Sequence, residues 1–269
     1  MTHVLRAFSA FMRVGIGTMI QYRGEILLWA IWGLVNPAVL YALWSAAAQT
    51  HENGEVAGYG RGEFAAYFFM MMIVGHMTTA WDTYEMGSLV RSGTMSPKLL
   101  RPVLPIWEAL ASNLSYKLVT LVFVVPMWIL FALIVRPTFD GNAWQVALGV
   151  VSVLLAGAAN FVLGYCVALI AFWSPKLDAT GEVFFGVGMF FGGRFSPLAA
   201  LPPILGSIAT LLPFRWMFAF PADLTIGKID SMSEALAGLA MQCAWLGMGI
   251  VGFRLLWRAA VKRYTAVSG

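Results

Sequence analysis

Gly87-Ser-Leu-Val-Arg-Ser-Gly-Thr-Met-Ser-Pro-Lys-Leu-Leu-Arg-Pro-Val-Leu-Pro105 is a short polar island between two apolar runs. It carries Arg91, Lys98 and Arg101 and no acid, and basic excess in a short loop places that loop on the cytoplasmic side of a membrane. Ser92, Gly93 and Thr94 read as a turn. Ser96 is a candidate helix cap, Pro97 suits a first helical position, and Pro102 stops the helix. The expected product is a helix of one or two turns at the membrane surface, with Leu99 and Leu100 available to lipid or a partner. A plain turn is the simpler reading, but a capped, basic, partly apolar connector is better suited to being gripped by something in the cytoplasm.

The chain around this island is apolar. Of 269 residues, 60% are hydrophobic and 11% charged, with a mean hydropathy of +0.77. A soluble domain carries about a quarter charged residues, so the expected class is an all-α integral membrane protein. The net charge of +4 is no nucleic-acid signal, because the basic residues occupy gaps between apolar runs. Cys166 and Cys243 fall inside apolar runs and read as buried free thiols, while His3, His51 and His76 make no ligand motif. No metal and no cofactor are expected.

Residues 1–24 alternate Val4, Leu5, Phe8, Phe11 and Met12 with Arg6, Ser9 and Arg13. That spacing predicts an amphipathic helix in the cytoplasmic headgroup layer rather than a cleaved signal peptide; an anchor merging with the first span is the alternative. Six spans are expected within one transmembrane domain covering 1–269, at 26–48, 64–81, 106–135, 143–173, 179–195 and 235–253. Asn36-Pro37 should kink the first. Asp82 and Glu85 close the second; Glu108 and Lys117 open the third, each expected to find a partner elsewhere or to snorkel. Ala156, Asn160 and Gly164 give the fourth a small, polar spacing suited to close helix packing.

After Gly188-Met-Phe-Phe-Gly192 come Arg194, Pro197, Pro202, Pro203, Pro213 and Pro221, too many breaks for one straight helix. The expected form is a hairpin over 197–226, with helices near 198–212 and 214–226 that dip into the outer leaflet and return; a loop lying flat on the bilayer is the alternative. The last span leads into Arg254, Arg258 and Lys262, a stripe facing anionic headgroups. Of the 17 Lys and Arg, 11 fall in segments assigned to the cytoplasm and five outside, with Lys117 left over. Both termini are therefore expected inside.

Catalytic patterns are missing. The lone Gly-Lys pair, Gly227-Lys228, is followed by Ile229, so there is no phosphate-binding loop of the G-x-x-x-x-G-K-[ST] kind. No nucleophile elbow is present. Asp82, Glu85 and Glu108 are expected near the cytoplasmic face, in interface or salt-bridge roles rather than in a proton relay. The chain reads as a non-enzyme.

Six spans, an amphipathic first helix, a basic connector after span two and a Pro-rich hairpin before span six resemble the permease subunits of ABC-2 type exporters. The resemblance is closest to a subgroup whose connector reads small-x-L-hydrophobic-R-S/T-G and then LLRP, here Ser88-Leu-Val-Arg-Ser-Gly93 and Leu99-Leu-Arg-Pro102. The subgroup's hairpin block is matched by Gly192-Gly-Arg-Phe-Ser-Pro-Leu-Ala-Ala-Leu-Pro202 and then Leu212-Pro-Phe214, and its aromatic ending by Arg263-Tyr-Thr-Ala-Val-Ser-Gly269. Arg194 departs from the pattern, where a small or apolar residue would fit.

The resemblance implies a multi-pass protein of the bacterial inner membrane and a division of labour. A separate ABC ATPase would dock on 87–105, through Arg91, Gly93, Lys98, Leu99, Leu100 and Arg101, and on the first helix. A second permease, different or identical, would complete the path through the membrane lipids. The hairpin, through Arg194, Phe195, Pro197, Pro202, Pro213 and Phe214, would close its outer end. The implied cargo is a lipophilic or amphipathic small molecule, such as a cationic drug or dye. An ion-coupled secondary transporter and a membrane-embedded lipid-modifying enzyme are the alternatives.

Overall fold

The computed structural model describes residues 2–174 and 177–264. Lys176, one of the 11 basic residues assigned to the cytoplasm, and the closing segment 265–269 lie outside the described residues. Among those described, all regular structure is helical apart from one isolated bridge between Val56 and Tyr59.

The first helix, α1 (Thr2–Gln21), lies along α6 (Pro105–Val135). The two approach closely because Gly15 carries no side chain: a Cβ there would stand 2.6 Å from Ser115 Oγ. Phe8 meets Trp107 edge to face, with ring centroids 6.3 Å apart. Next come α2 (Arg23–Gln49), with Pro37 inside it as expected, and α3 (Arg61–Thr78). After a break, α4 (Asp82–Arg91) leads to the one-turn α5 (Met95–Leu99) and then α6. Helix α7 (Ala143–Ala168) continues through a 3-10 turn, Leu169–Phe172. The chain ends in α8 (Leu177–Phe191), α9 (Pro203–Leu211), α10 (Pro213–Met217), α11 (Ala219–Ile226) and α12 (Met232–Arg263).

Among the described residues five apolar runs are long enough to cross a bilayer: Arg23–Gln49, Arg61–Arg91, Pro105–Val135, Ala143–Phe172 and Met232–Arg263. The expected fifth span, 179–195, is the exception. Helix α8 has 15 residues and rises roughly 22 Å, against about 30 Å of hydrocarbon. It ends because Gly193 takes φ +78°, a left-handed turn that a helix cannot continue through.

The second run is the centre of the molecule. Some 61% of its most apolar window is buried, against 22% for α2 and 17% for both α6 and α12. Phe64, Tyr67 and Phe68 have no exposed surface, whereas Trp32, Val122, Leu133 and Val251 point outward from the chain. Such outward apolar faces suit lipid or another membrane subunit rather than water.

Three local expectations are corrected. Ser96 does not cap α5: the helix starts at Met95, two residues earlier than expected, with Thr94 before it, and Thr94 Oγ1 lies 2.8 Å from Ser92 Oγ instead. Cys243 is an exposed free thiol on α12, not a buried one. The stretch 214–226 is two helices rather than one, broken at Phe218 (φ −125°, ψ −64°), and 198–212 is a 3-10 turn followed by α9.

Candidate functional site

Three features line up along the second apolar run: a pinned connector, a break and a cavity. In the connector, Met95 is fully buried, with Leu99 packed beside it among Met86, Tyr165 and Phe172. Lys98 Nζ lies 2.8 Å from Glu108 Oε1, and Arg101 Nη1 lies 2.8 Å from Oε2 of the same carboxylate. Ser96 Oγ is 2.7 Å from Tyr264 Oη at the end of α12, and Gly93, at φ +72°, turns the chain into α5. The segment is therefore held from α6, α7 and α12 at once. Leu100 points away from these supports. At 88% exposure it is the most exposed large apolar side chain among the described residues.

Between Thr78 and Asp82 the helix comes apart without proline or glycine. The carbonyls it frees are taken by side chains from two other helices. Asn160 Nδ2 donates to Thr78 O at 2.7 Å, and Asn113 Nδ2 donates to Thr79 O at 2.8 Å. Unpaired carbonyls in a dry interior cost about 1–3 kcal/mol each, so these two asparagines make the break tolerable. On α7, Gly157 lets Met77 O approach to 2.8 Å of where a Cβ would stand.

The break opens onto a cavity of about 380 Å³. Its wall is aromatic and sulfur-rich, including Trp81, Trp128, Met71, Met72, Phe184 and Phe214. Asp82, His76 and Arg194 are charged or titratable members of that wall. Asp82 is only 7% exposed and also borders a smaller space of about 120 Å³ shared with Glu85, Lys98 and Glu108 beneath the connector. Lys117, 6% exposed, is its electrostatic neighbour. Glu108 thus has the partner the sequence left open. Asp82 is buried in the chain and lines both spaces.

The profile of a family described as ABC-2 family transporter protein matches residues 25–268. The chain belongs to the ABC-2 transporter family. Its members are typically non-catalytic permeases. No curated protein matches it.

In this ABC-2 protein the expected coupling residues divide by orientation. Lys98 and Arg101 meet on Glu108, Leu99 turns inward, Leu100 turns outward, and Arg91 ends α4 on the exposed surface. Of the hairpin residues, Arg194 and Phe214 come together on the cavity wall. Phe195 instead offers its carbonyl to Trp44 Nε1 at 3.0 Å. Pro202 and Pro213 act locally, at the starts of α9 and α10, and Pro197 is buried just before the 3-10 turn. The GxxxG glycines seat the hairpin: Gly188 faces Phe214, and Gly192 faces Phe218.

A polar cluster fastens the other side of the hairpin. Tyr59 Oη donates to Asp223 Oδ1 at 3.0 Å, and Lys228 binds Glu63 and the Gly58 carbonyl. Burial first, and then the Asp223 carboxylate, push the Tyr59 hydroxyl pKa far above its usual value, so it stays a donor. Glu108, Tyr264, Asn113 and Asn160 had no assigned role in the connector or the break. The signal available was their polarity within or beside apolar runs.

Proposed function

We propose that this chain is the permease subunit of an ATP-driven exporter, working with a separate ATPase and a second permease subunit. The observation that carries the reading is Leu100, an exposed apolar knob on a connector otherwise pinned from three helices. A push on α5 passes into α4, and α4 meets α3 only through the break at 79–81, beside the cavity. ATPase closure would so swing the cavity wall at Asp82 and Trp81. The connector lies in the cytoplasm, and the segment 197–226 forms the outer closure. A second subunit covers part of the outward apolar faces, and the cargo is a lipophilic or amphipathic small molecule.

The test is co-expression with an ABC ATPase encoded beside it. The ATPase should co-purify with the chain, and ATP hydrolysis should need both. Hydrolysis by the isolated chain, or no ATPase recovered under conditions that preserve the membrane complex, overturns the assignment. One observation favours a second reading: the buried Asp82 beside Lys117 is what an ion-coupled transporter would use. That reading expects efflux to collapse with the proton gradient while ATP is abundant; the ATPase reading expects efflux to persist.

The orientation has its own test. Ser207, on α9, and Asp230, before α12, are both exposed. Gly227 is unsuitable, since a side chain there would meet the Gly141 backbone at 2.7 Å. In a background without Cys166 and Cys243, Ser207→Cys and Asp230→Cys should each react with an impermeant maleimide added outside intact cells. Reaction only after the cytoplasm is opened reverses the topology.

A further inference from the structure

Arg194 stands in the cavity wall with its guanidinium carbon 5.1 Å from the Phe185 ring centroid and 5.0 Å from that of Phe218. Two aromatic faces hold the cation but use none of its five N–H donors. Among the described residues no carboxylate pairs with the guanidinium and no oxygen accepts from it. Arginine keeps its charge at physiological pH, and Arg194 is half-buried, so part of its hydration is lost with no acceptor to replace it. The donors are available to a molecule inside the cavity.

The opposite charge on this wall does not pair with Arg194. Gly193, next to Arg194, accepts a bond of 2.7 Å from Tyr67 Oη, and α3 then runs from Tyr67 to Thr78 before Asp82 is reached. Those 11 steps rise roughly 16 Å. Helix α8 gives the same spacing independently: Gly181 packs on Thr83 and Gly192 on Phe218. The backbones of Asp82 and Arg194 are thus about 15 Å apart by helix rise; the guanidinium reaches back to Phe185 but makes no ion pair with Asp82, whose electrostatic neighbour is Lys117. His76, the third such group, is 3.2 Å from the Lys117 carbonyl. The rest of the wall is rich in Trp, Met and Phe, with Tyr116 and Asn160 among them.

We propose that the cavity binds an amphipathic organic anion. Its carboxylate, sulfonate or phosphate head accepts from Arg194 between Phe185 and Phe218, and its apolar body lies along Trp128, Met71 and Met72. This rests on the permease reading and supplies its substrate class. A planar guanidinium donates two parallel bonds to such a head, and the flanking rings fix its plane. A cationic head meets a like charge there, so the cationic cargo implied by the resemblance is disfavoured at this position.

The experiment uses the full chain in lipid nanodiscs and three probes with one apolar body: pyrenebutyrate, pyrenebutanol and pyrenebutyltrimethylammonium. Energy transfer from tryptophan to pyrene reads binding, with empty nanodiscs subtracted. Pyrenebutyrate should bind at least tenfold tighter than the ammonium probe. Arg194→Gln should abolish that preference and leave pyrenebutanol unchanged, whereas Arg194→Lys should keep part of it. Equal affinities in the wild type, a preference for the ammonium, or a preference that survives Arg194→Gln overturns the proposal and leaves Arg194 a wall brace. If Arg194→Gln also loses pyrenebutanol, Arg194→Lys decides, since loss of the preference there counts against the site. ATPase co-purification on the same proteins separates the two readings: a wild type that recruits the ATPase without anion preference sinks only this one.

Discussion

Leu100→Ala should cut the affinity of the ATPase for the permease by about 30-fold while leaving the permease folded and inserted. An apolar anchor at the centre of an interface costs about 2 kcal/mol when truncated, and about 1.4 kcal/mol is a factor of ten in affinity. Leu100 fits that description because nothing in its own chain covers it. Leu99→Ala should act differently. Leu99 packs with Met86, Met95 and Phe172, so its loss should lower the thermal midpoint before it affects the partner. Glu108→Gln releases Lys98 and Arg101 from their shared carboxylate. These ion pairs are partly exposed, and such pairs contribute about 1 kcal/mol or less, so the effect on affinity should stay below about fivefold. Titrating the ATPase onto each variant in nanodiscs, with a melting curve beside it, measures all three. Full ATPase affinity in Leu100→Ala would return the connector to the status of a plain turn.

Gly193→Val should be the most damaging single change in the hairpin. The residue sits at φ +78°, where a β-branched side chain is strained by about 1–2 kcal/mol. Its Cβ would also lie 2.6 Å from Tyr67 Oη and 2.9 Å from Ala219 Cβ. Tyr67 and Ala219 are fully buried and have no room to retreat. Overpacking of this kind costs about 1–3 kcal/mol more. The total, about 3 kcal/mol, should appear as a clearly lower melting temperature and as loss of the bond from Tyr67 to the Gly193 carbonyl. Tyr67→Phe removes that bond without the strain and should cost about 1 kcal/mol. Melting of the two variants side by side is the check; a Gly193→Val protein as stable as wild type would show that the turn relaxes freely.

Charge and hydropathy carried the architecture a long way. Arg91, Lys98 and Arg101 between apolar runs marked the connector, and Pro197 to Pro221 marked the broken hairpin, because both signals are local. What escaped is held by residues distant in sequence. Thr79-Ala80-Trp81 contains no breaker, and the chain opens there because Asn113 and Asn160 accept the cost from other helices. A one-turn helix has no periodicity to set its phase, so Leu99 and Leu100 looked equivalent until Met95 and the Glu108 pairs fixed which one faces inward. Arg194 stood out as a departure from the family pattern, but Phe185 and Phe218, which give it a setting, become its neighbours only once α8 and α10 pack together.

The bond between Ser96 and Tyr264 spans 168 residues, and that separation is also an interval of time. At about 5–20 residues per second of synthesis, the connector waits on the order of 10–30 s for the tyrosine that sets it. A nascent chain with its earlier helices already inserted thus lacks one of the three supports of its connector. Recruitment of the motor subunit would then favour finished chains over those still on the ribosome, and a chain stalled before its last helix would offer the motor a poorer grip.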